Sequence, residues 1–154
     1  MPIAKLRDSS CSVARSLSVL GERWTLLIVR EALSGSTRFE EFRENLGVAP
    51  DVLSERLNTL VECNVLRREP YQEVGRRTQF AYFLTETGLE LHVVIGALQQ
   101  WGDQHLPRDE GPSVVRRSKS SAGPVRVAFV DTTGREIPED DVSIIASEGE
   151  SNAV

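Results

Sequence analysis

Four arginines, Arg67, Arg68, Arg76 and Arg77, stand close together with only Glu69 and Glu73 against them, a local net of +2 in the chain. Guanidinium groups at that density are suited to phosphate, because each one that contacts a nucleic-acid backbone releases a condensed counterion. Just upstream, the run Pro50–Cys63 sets Leu53, Leu57, Leu60 and Val61 at helical spacing. That stripe leaves Asp51, Val52, Ser54, Glu55, Arg56 and Asn58 on the outer side. A helix is narrow enough to enter the major groove, where such side chains can read base edges. Arg56 is equally suited to a guanine and to a phosphate, and spacing alone does not separate the two. Cys11 stands at the start of a helical pattern with Arg15 one turn along. A helix N-terminus favours a thiolate, while the bland alternative is a small packing residue. Cys63, three positions after Leu60, reads as a packing or edge residue.

Chemistry of other kinds finds no support. No nucleophile has a recognisable base partner, and neither a glycine-rich phosphate loop nor a metal-ligand spacing occurs. The two histidines, His92 and His105, are 13 positions apart with no Cys, Asp or Glu one turn from both. No catalytic residue, no metal and no cofactor is therefore expected.

The elements that must position these residues follow from periodicity and punctuation. Ser9 or Ser10 can cap a helix over Cys11–Leu20, ended by Gly21. Glu22–Leu33 is apolar on two sides, with Trp24, Leu27 and Ile28 on one and Leu26, Val29 and Leu33 on the other, the pattern of a central buried helix. Ser34-Gly35 ends it. Thr37 then caps a third helix carrying Phe39, Phe42 and Leu46, with Glu40, Glu41 and Glu44 as its solvated face. Gly47 stops that helix. Pro50 opens the fourth at a position proline favours, and Asn64 can take the left-handed conformation that closes it. Period two follows: Val65–Tyr71 and Thr78–Leu84 read as antiparallel strands. Thr85 caps a last long helix that stops before Pro107.

The chain has 154 residues, with 40% hydrophobic and 27% charged, enough apolar material for a core. Its net charge of −5 excludes a uniformly basic coat but not a local patch. Apolar runs as short as Leu26–Val29 cannot span a bilayer, the N-terminus lacks an apolar signal region, and no repeat occurs. Two cysteines are too few for a disulfide scaffold, so a cytoplasmic location with reduced thiols is expected. Composition shifts at Pro107, after which Ser, Pro, Gly and charge dominate. The expected organisation is a DNA-binding domain over 1–106, a linker over 107–124, a small β-hairpin over 125–146 and a disordered tail over 147–154. Within the hairpin, Val125–Val130 and Val142–Ala146 are the expected strands.

Two short helices followed directly by a β-ribbon is the order of a winged helix-turn-helix. Several runs also resemble the HxlR-type transcriptional regulators: Cys11-Ser12-Val13-Ala14 with Leu17, Gly21-Glu22-Arg23-Trp24-Thr25-Leu26-Leu27-Ile28, Arg38-Phe39, Pro50-Asp51-Val52-Leu53-Ser54-Glu55-Arg56-Leu57 with Leu60, and Leu84-Thr85-Glu86-Thr87-Gly88. The resemblance covers roughly residues 9–103. It implies an α+β, mostly helical winged helix-turn-helix with dimerisation helices at both ends, bound as a homodimer to a two-fold symmetric double-stranded DNA operator. On this reading the DNA-facing set is Thr37, Arg38, Asp51, Val52, Ser54, Glu55, Arg56, Asn58, Arg68, Arg76 and Arg77. Cys11 matches a cysteine that senses oxidants or electrophiles in such proteins, so a thiol-reactive or small-molecule effector is implied. Asp51 departs from the family, which often has a basic residue there; a carboxylate suits the helix dipole and can accept from a cytosine amino group. Some relatives carry paired cysteines in the tail, and this chain has none there, which removes a zinc site.

The dimer stripe expected on the last helix is Leu91, Val94, Ile95, Leu98 and Trp101, joined by Val13, Leu17 and Leu20 of the first. Two other readings stay open: a MarR-like small-ligand-responsive regulator, and a winged-helix interaction module without DNA binding.

Overall fold

The computed structural model describes residues 6–75 and 77–145. Residues 1–5, Arg76, Ala146 at the end of the expected hairpin and the tail 147–154 lie outside the described residues, and with them the expectations placed there. Helix α1 spans Ser12–Leu20, α2 Arg23–Leu33, α3 Phe39–Leu46 and α4 Pro50–Glu62. Strands β1, Leu66–Tyr71, and β2, Gln79–Leu84, follow, then α5, Glu86–His105.

The core gathers where the apolar stripes meet. Ile28 and Val29 of α2, Phe42 of α3, and Leu53, Leu57 and Leu60 of α4 are all fully buried, with Val48, Val65, Leu66 and Tyr82 closing around them. Helix α2 packs on α3, α4 and β2, which is why its sequence is apolar on two sides. Each fully buried aliphatic side chain contributes about 1.5–3 kcal/mol. Thr25 is buried among them, and its hydroxyl has no partner among the described residues.

The turns are where the sequence places them. Gly47 closes α3 at φ 62°, and Asn64 follows α4 at φ 57°. Both are left-handed positions that only glycine and asparagine occupy cheaply. Strands β1 and β2 pair antiparallel, Leu66 opposite Leu84 and Tyr71 opposite Gln79. Slipping this register by one residue would turn Leu66 and Tyr82 out of the core. The result is a winged helix-turn-helix, α3 and α4 followed by a β-ribbon.

One cap differs from expectation. Arg38, not Thr37, is the residue that begins α3, because Glu41 reaches back to accept from the backbone N–H groups of Thr37 at 2.7 Å and Arg38 at 2.9 Å. Thr37 is instead extended, its carbonyl accepting from Tyr82 N at 2.7 Å while Arg38 bridges to Ala81. A single antiparallel bridge thereby ties the start of α3 to the two-stranded ribbon.

Contacts divide the chain into two units, Met1–Leu98 and Gln99–Val154. The division falls inside α5 rather than at Pro107, because the side chains at its end serve the second unit. Gln100 exchanges two hydrogen bonds of 3.1 Å with the backbone of Val127, and Gln99 donates to Val114 O at 2.6 Å. The stretch expected as a linker accordingly carries structure of its own, with Arg117 bridged to Pro124 and Val125 N bonded to Arg116 O. The hairpin is also shorter than expected. Strand β3 is Phe129–Val130 and β4 is Glu136–Ile137, and residues 142–145 form no strand. The Asp131 carboxylate accepts from Thr133 and Arg135 and closes the turn at once. Pro138, which lacks an N–H, then ends the second strand.

Gly88 marks the tightest approach in the first unit. A Cβ there would lie 2.1 Å from Val65 O and 2.9 Å from Leu84 Cδ2. Val65 O cannot retreat without losing the bond from Thr85 N at 3.1 Å. In an open helix Gly→Ala would stabilise by about 1 kcal/mol. Gly88→Ala should instead destabilise by about 1–3 kcal/mol, read as a lower denaturant midpoint. A midpoint at or above that of the wild type would show that the α5–β1 junction is loose.

Candidate nucleic-acid interface

Burying Leu53, Leu57 and Leu60 leaves Asp51, Ser54, Glu55 and Asn58 of α4 exposed on the opposite face. These four side chains project outward as the sequence spacing requires. Two other candidates on the same helix do not. Val52 is half-buried and packs against the core. The Arg56 side chain is only 17% exposed and its guanidinium is paired with Glu55 at 2.9 Å. A helix has no sharp boundary between faces, and residues at the margin are drawn inward when they can cover apolar surface. The outward face of α4 is thus polar and acidic at its start, with its one arginine engaged.

The ribbon holds its arginines against aromatic rings. Arg67 lies over Phe83 at 4.8 Å, Arg68 over Phe80 at 4.9 Å and Arg38 over Tyr71 at 4.8 Å. Such contacts are worth about 0.5–1 kcal/mol at exposed sites and hold the guanidinium planes in place. Two of these arginines also have carboxylate partners. Arg67 pairs with Glu69, and Arg38 Nη1 lies 2.9 Å from Glu73 Oε1. Both glutamates already subtracted in the +2 count are thus engaged in ion pairs, and one of them is paired with Arg38, which lies outside that count. Arg77 is exposed, and no ion pair to it occurs among the described residues.

What sequence reading missed is how the helix pair is braced. Glu31, at the end of α2, accepts from Arg30 at 2.6 Å and from Asn45 Nδ2 at 3.0 Å, and Ser36 Oγ lies 3.4 Å away. This one carboxylate ties the end of α2 to the end of α3. Glu41, read from sequence as part of a solvated face, is a cap. The signal was present, since Glu at the third helical position is the capping-box spacing.

Cys11 is exposed at the N-cap of α1, its N–H donating to Ser9 Oγ at 3.2 Å. Arg15 does not serve its sulfur, because its guanidinium donates to the carbonyls of Ser9 at 2.6 Å and Ser10 at 2.7 Å and to Ser12 Oγ at 2.9 Å. Cys63 is half-buried with Arg7 Nη2 at 4.0 Å from its sulfur. Of the residues expected to face a second subunit, Val13, Leu17, Val94, Leu98 and Trp101 are exposed, Leu98 by 50% and Trp101 by 57%. Leu20 is half-buried. Ile95 differs: it is 7% exposed and belongs to the protomer's own core, with Leu91 packed against it. Leu89 and Val93, which the sequence reading left out, are exposed apolar residues of α5. Among the described residues no group of His, Cys, Asp or Glu is placed to hold a metal ion, and no helix is long and apolar enough to cross a membrane.

Comparison with known proteins agrees with this geometry. A family model described as HxlR-like helix-turn-helix matches residues 19–110. An uncharacterised HTH-type transcriptional regulator of Mycobacterium tuberculosis is 48% identical over 106 residues, which is 69% of this chain and 66% of that protein. The chain therefore spans just under two thirds of that relative's length. The crystal structure of PA1607, described as a candidate transcription factor, matches with a TM-score of 0.79 at 33% identity over 93% of this chain and 99% of that one. The redox regulator HypR in its reduced form matches with a TM-score of 0.56 at 26% identity over 62% of this chain and 96% of that one.

The Glu41 cap gives this region a pH dependence. The N–H groups of Arg38 and Thr37 hold its carboxyl below the usual carboxylate value of 4.5. A depressed folded-state pKa stabilises the protein fully above the unfolded value and is lost as pH falls through the folded one. Glu41→Ala should therefore cost about 1 kcal/mol at neutral pH. The gap between wild type and variant should be flat down to about pH 5 and close steadily below 4.5. Urea titrations at several pH values will measure it, and a gap independent of pH would rule out the ionised cap.

Proposed function

The chain belongs to the HxlR-like helix-turn-helix family, and from that premise we propose that it is a cytoplasmic, DNA-binding transcriptional regulator. It works as a homodimer on a two-fold symmetric operator and catalyses no reaction. The observation that carries this reading is the bare polar face of α4, Asp51, Ser54, Glu55 and Asn58, followed immediately by an arginine-bearing ribbon. In this reading α4 enters the major groove and reads base edges, while Arg68, Arg77 and Arg38 reach phosphates on either side. Arg56 and Val52 act mainly by holding the helix on its core. Arg76 and Thr37 complete the set expected at the backbone.

A second copy covers the exposed apolar residues. Val13 and Leu17 on α1, with Val94 and Leu98 on α5, leave too much hydrocarbon in water for a domain of this size, and a partner would bury it. Two subunits joined there would hold two recognition helices about 34–36 Å apart, one helical turn of DNA. Cys11, exposed on α1, is where an oxidant or electrophile would act on that joint. HypR, a redox regulator by name, supports this reading of the cysteine.

The direct test is fluorescence anisotropy on a duplex covering the DNA beside the protein's own gene, repeated across salt. Affinity should fall linearly in log salt, and Arg77→Ala should reduce that slope by about one per subunit. Ser54→Ala and Asn58→Ala should each change which sequences are preferred, at about 1–3 kcal/mol if the contact is to a base. No salt-dependent binding to any duplex would sink the proposal.

For the dimer, light scattering should give twice the mass of the chain for the wild type. Leu98→Glu should give the monomer or a destabilised protein, since an unpaired charge would be buried. A wild type that stays monomeric at micromolar concentration would remove α5 from any interface.

A further inference from the structure

Not every arginine beside the ribbon is freely offered. Arg38 is fixed at three points. Its N–H donates to Glu41, the adjacent Thr37 carbonyl accepts from Tyr82 N, and its guanidinium lies over the Tyr71 ring. That ring is itself held, its hydroxyl donating to Gln79 Oε1 at 2.6 Å. On the guanidinium fixed in this way, Nη1 donates to Glu73 Oε1 at 2.9 Å. The two residues are 35 positions apart, one where α3 begins and the other in the ribbon loop. Their side chains are 50% and 40% exposed.

An exposed ion pair of this kind adds little to the fold. What the carboxylate does provide is an anionic oxygen at hydrogen-bond distance from a guanidinium, which is what a DNA phosphate would offer the same atom. We propose that Glu73 is an internal phosphate surrogate: it occupies Arg38 in the free protein, and DNA must displace it before Arg38 can bind the backbone. The inference rests on the DNA-binding reading above and names the residue that tunes it. Its consequence is selective. A duplex that fits only loosely cannot displace Glu73, so Arg38 contributes only to a fully docked complex. Glu73 thus lowers affinity for DNA of any sequence and widens the margin between close and loose docking.

The test uses the full chain and a mixed-sequence 30-bp duplex, because phosphate contacts are indifferent to sequence. Glu73→Gln should bind this duplex about two- to fivefold more tightly per subunit. Its plot of log affinity against log salt should be steeper by about one per subunit. In an Arg38→Ala background the same change should give a clearly smaller gain. Glu110→Gln is the control, since it removes an equal charge from an exposed glutamate paired with Arg108 at 3.3 Å in the other unit. It should leave binding unchanged, and an equal gain there would reduce the effect to net charge and overturn the proposal. A gain of undiminished size without Arg38 overturns it as well. If the wild type binds duplex DNA and Glu73→Gln binds no better, the surrogate fails alone; if the wild type binds no duplex, the DNA-binding reading fails with it.

Discussion

Burial of one face of α4 is the constraint from which the rest of the molecule follows. Leu53, Leu57 and Leu60 are fully buried against Ile28 and Val29 of α2 and Phe42 of α3. A helix pinned along such a stripe cannot rotate without taking several leucines into water, at roughly 2 kcal/mol each. The polar face is therefore fixed outward by what happens on the other side of the helix. The same stripe sets the angle between α3 and α4, because Phe42 and Val48 fill the corner between them. Glu31 adds a polar tie from α2 to the end of α3. The supports of this helix pair are hydrocarbon and a shared carboxylate.

The ribbon is organised differently. Only Leu66 and Tyr82 of its strands are buried, so its position depends on the backbone ladder and on the Tyr82 N to Thr37 O bond that stitches it to the start of α3. Stacking on Phe83, Phe80 and Tyr71 then orients the guanidinium groups. In an acidic protein this arrangement keeps a modest positive field local. Pairing of Arg67 with Glu69 and of Arg38 with Glu73 reduces that field further.

Helix α5 serves two masters. Its first half packs Leu91 and Ile95 onto the core and brings Gly88 against Val65. Its residues Gln99 and Gln100 already belong to the second unit and bond to Val114 and Val127 there. Between these duties Leu89, Val93, Val94 and Leu98 remain in solvent.

Much of this was legible from the chain alone. Element order, the left-handed turns at Gly47 and Asn64, the proline start of α4 and the strand pairing all depend on local sterics and period, which a linear sequence carries in full. The outward placement of Asp51, Ser54, Glu55 and Asn58 follows from leucine spacing for the same reason. Other features needed the third dimension. Val52 and Arg56 lie at the margin of a helical face, and whether a marginal residue is covered depends on neighbours that periodicity does not name. Ile95 shares a stripe with Leu98, yet one is in the core and the other in water, because the extent of the core, which periodicity does not give, decides where that stripe is cut. The arginine patch counted along the chain did not include Arg38, which comes from a different element and takes Glu73 as its partner. In the tail, the Asp131 turn and Pro138 placed the second strand at Glu136–Ile137 and passed over the more strand-like run beyond it. Local rules determined which elements form and which way most side chains point. Long-range packing and charge pairing, which act between residues far apart in sequence, decided which of those side chains are left free to bind.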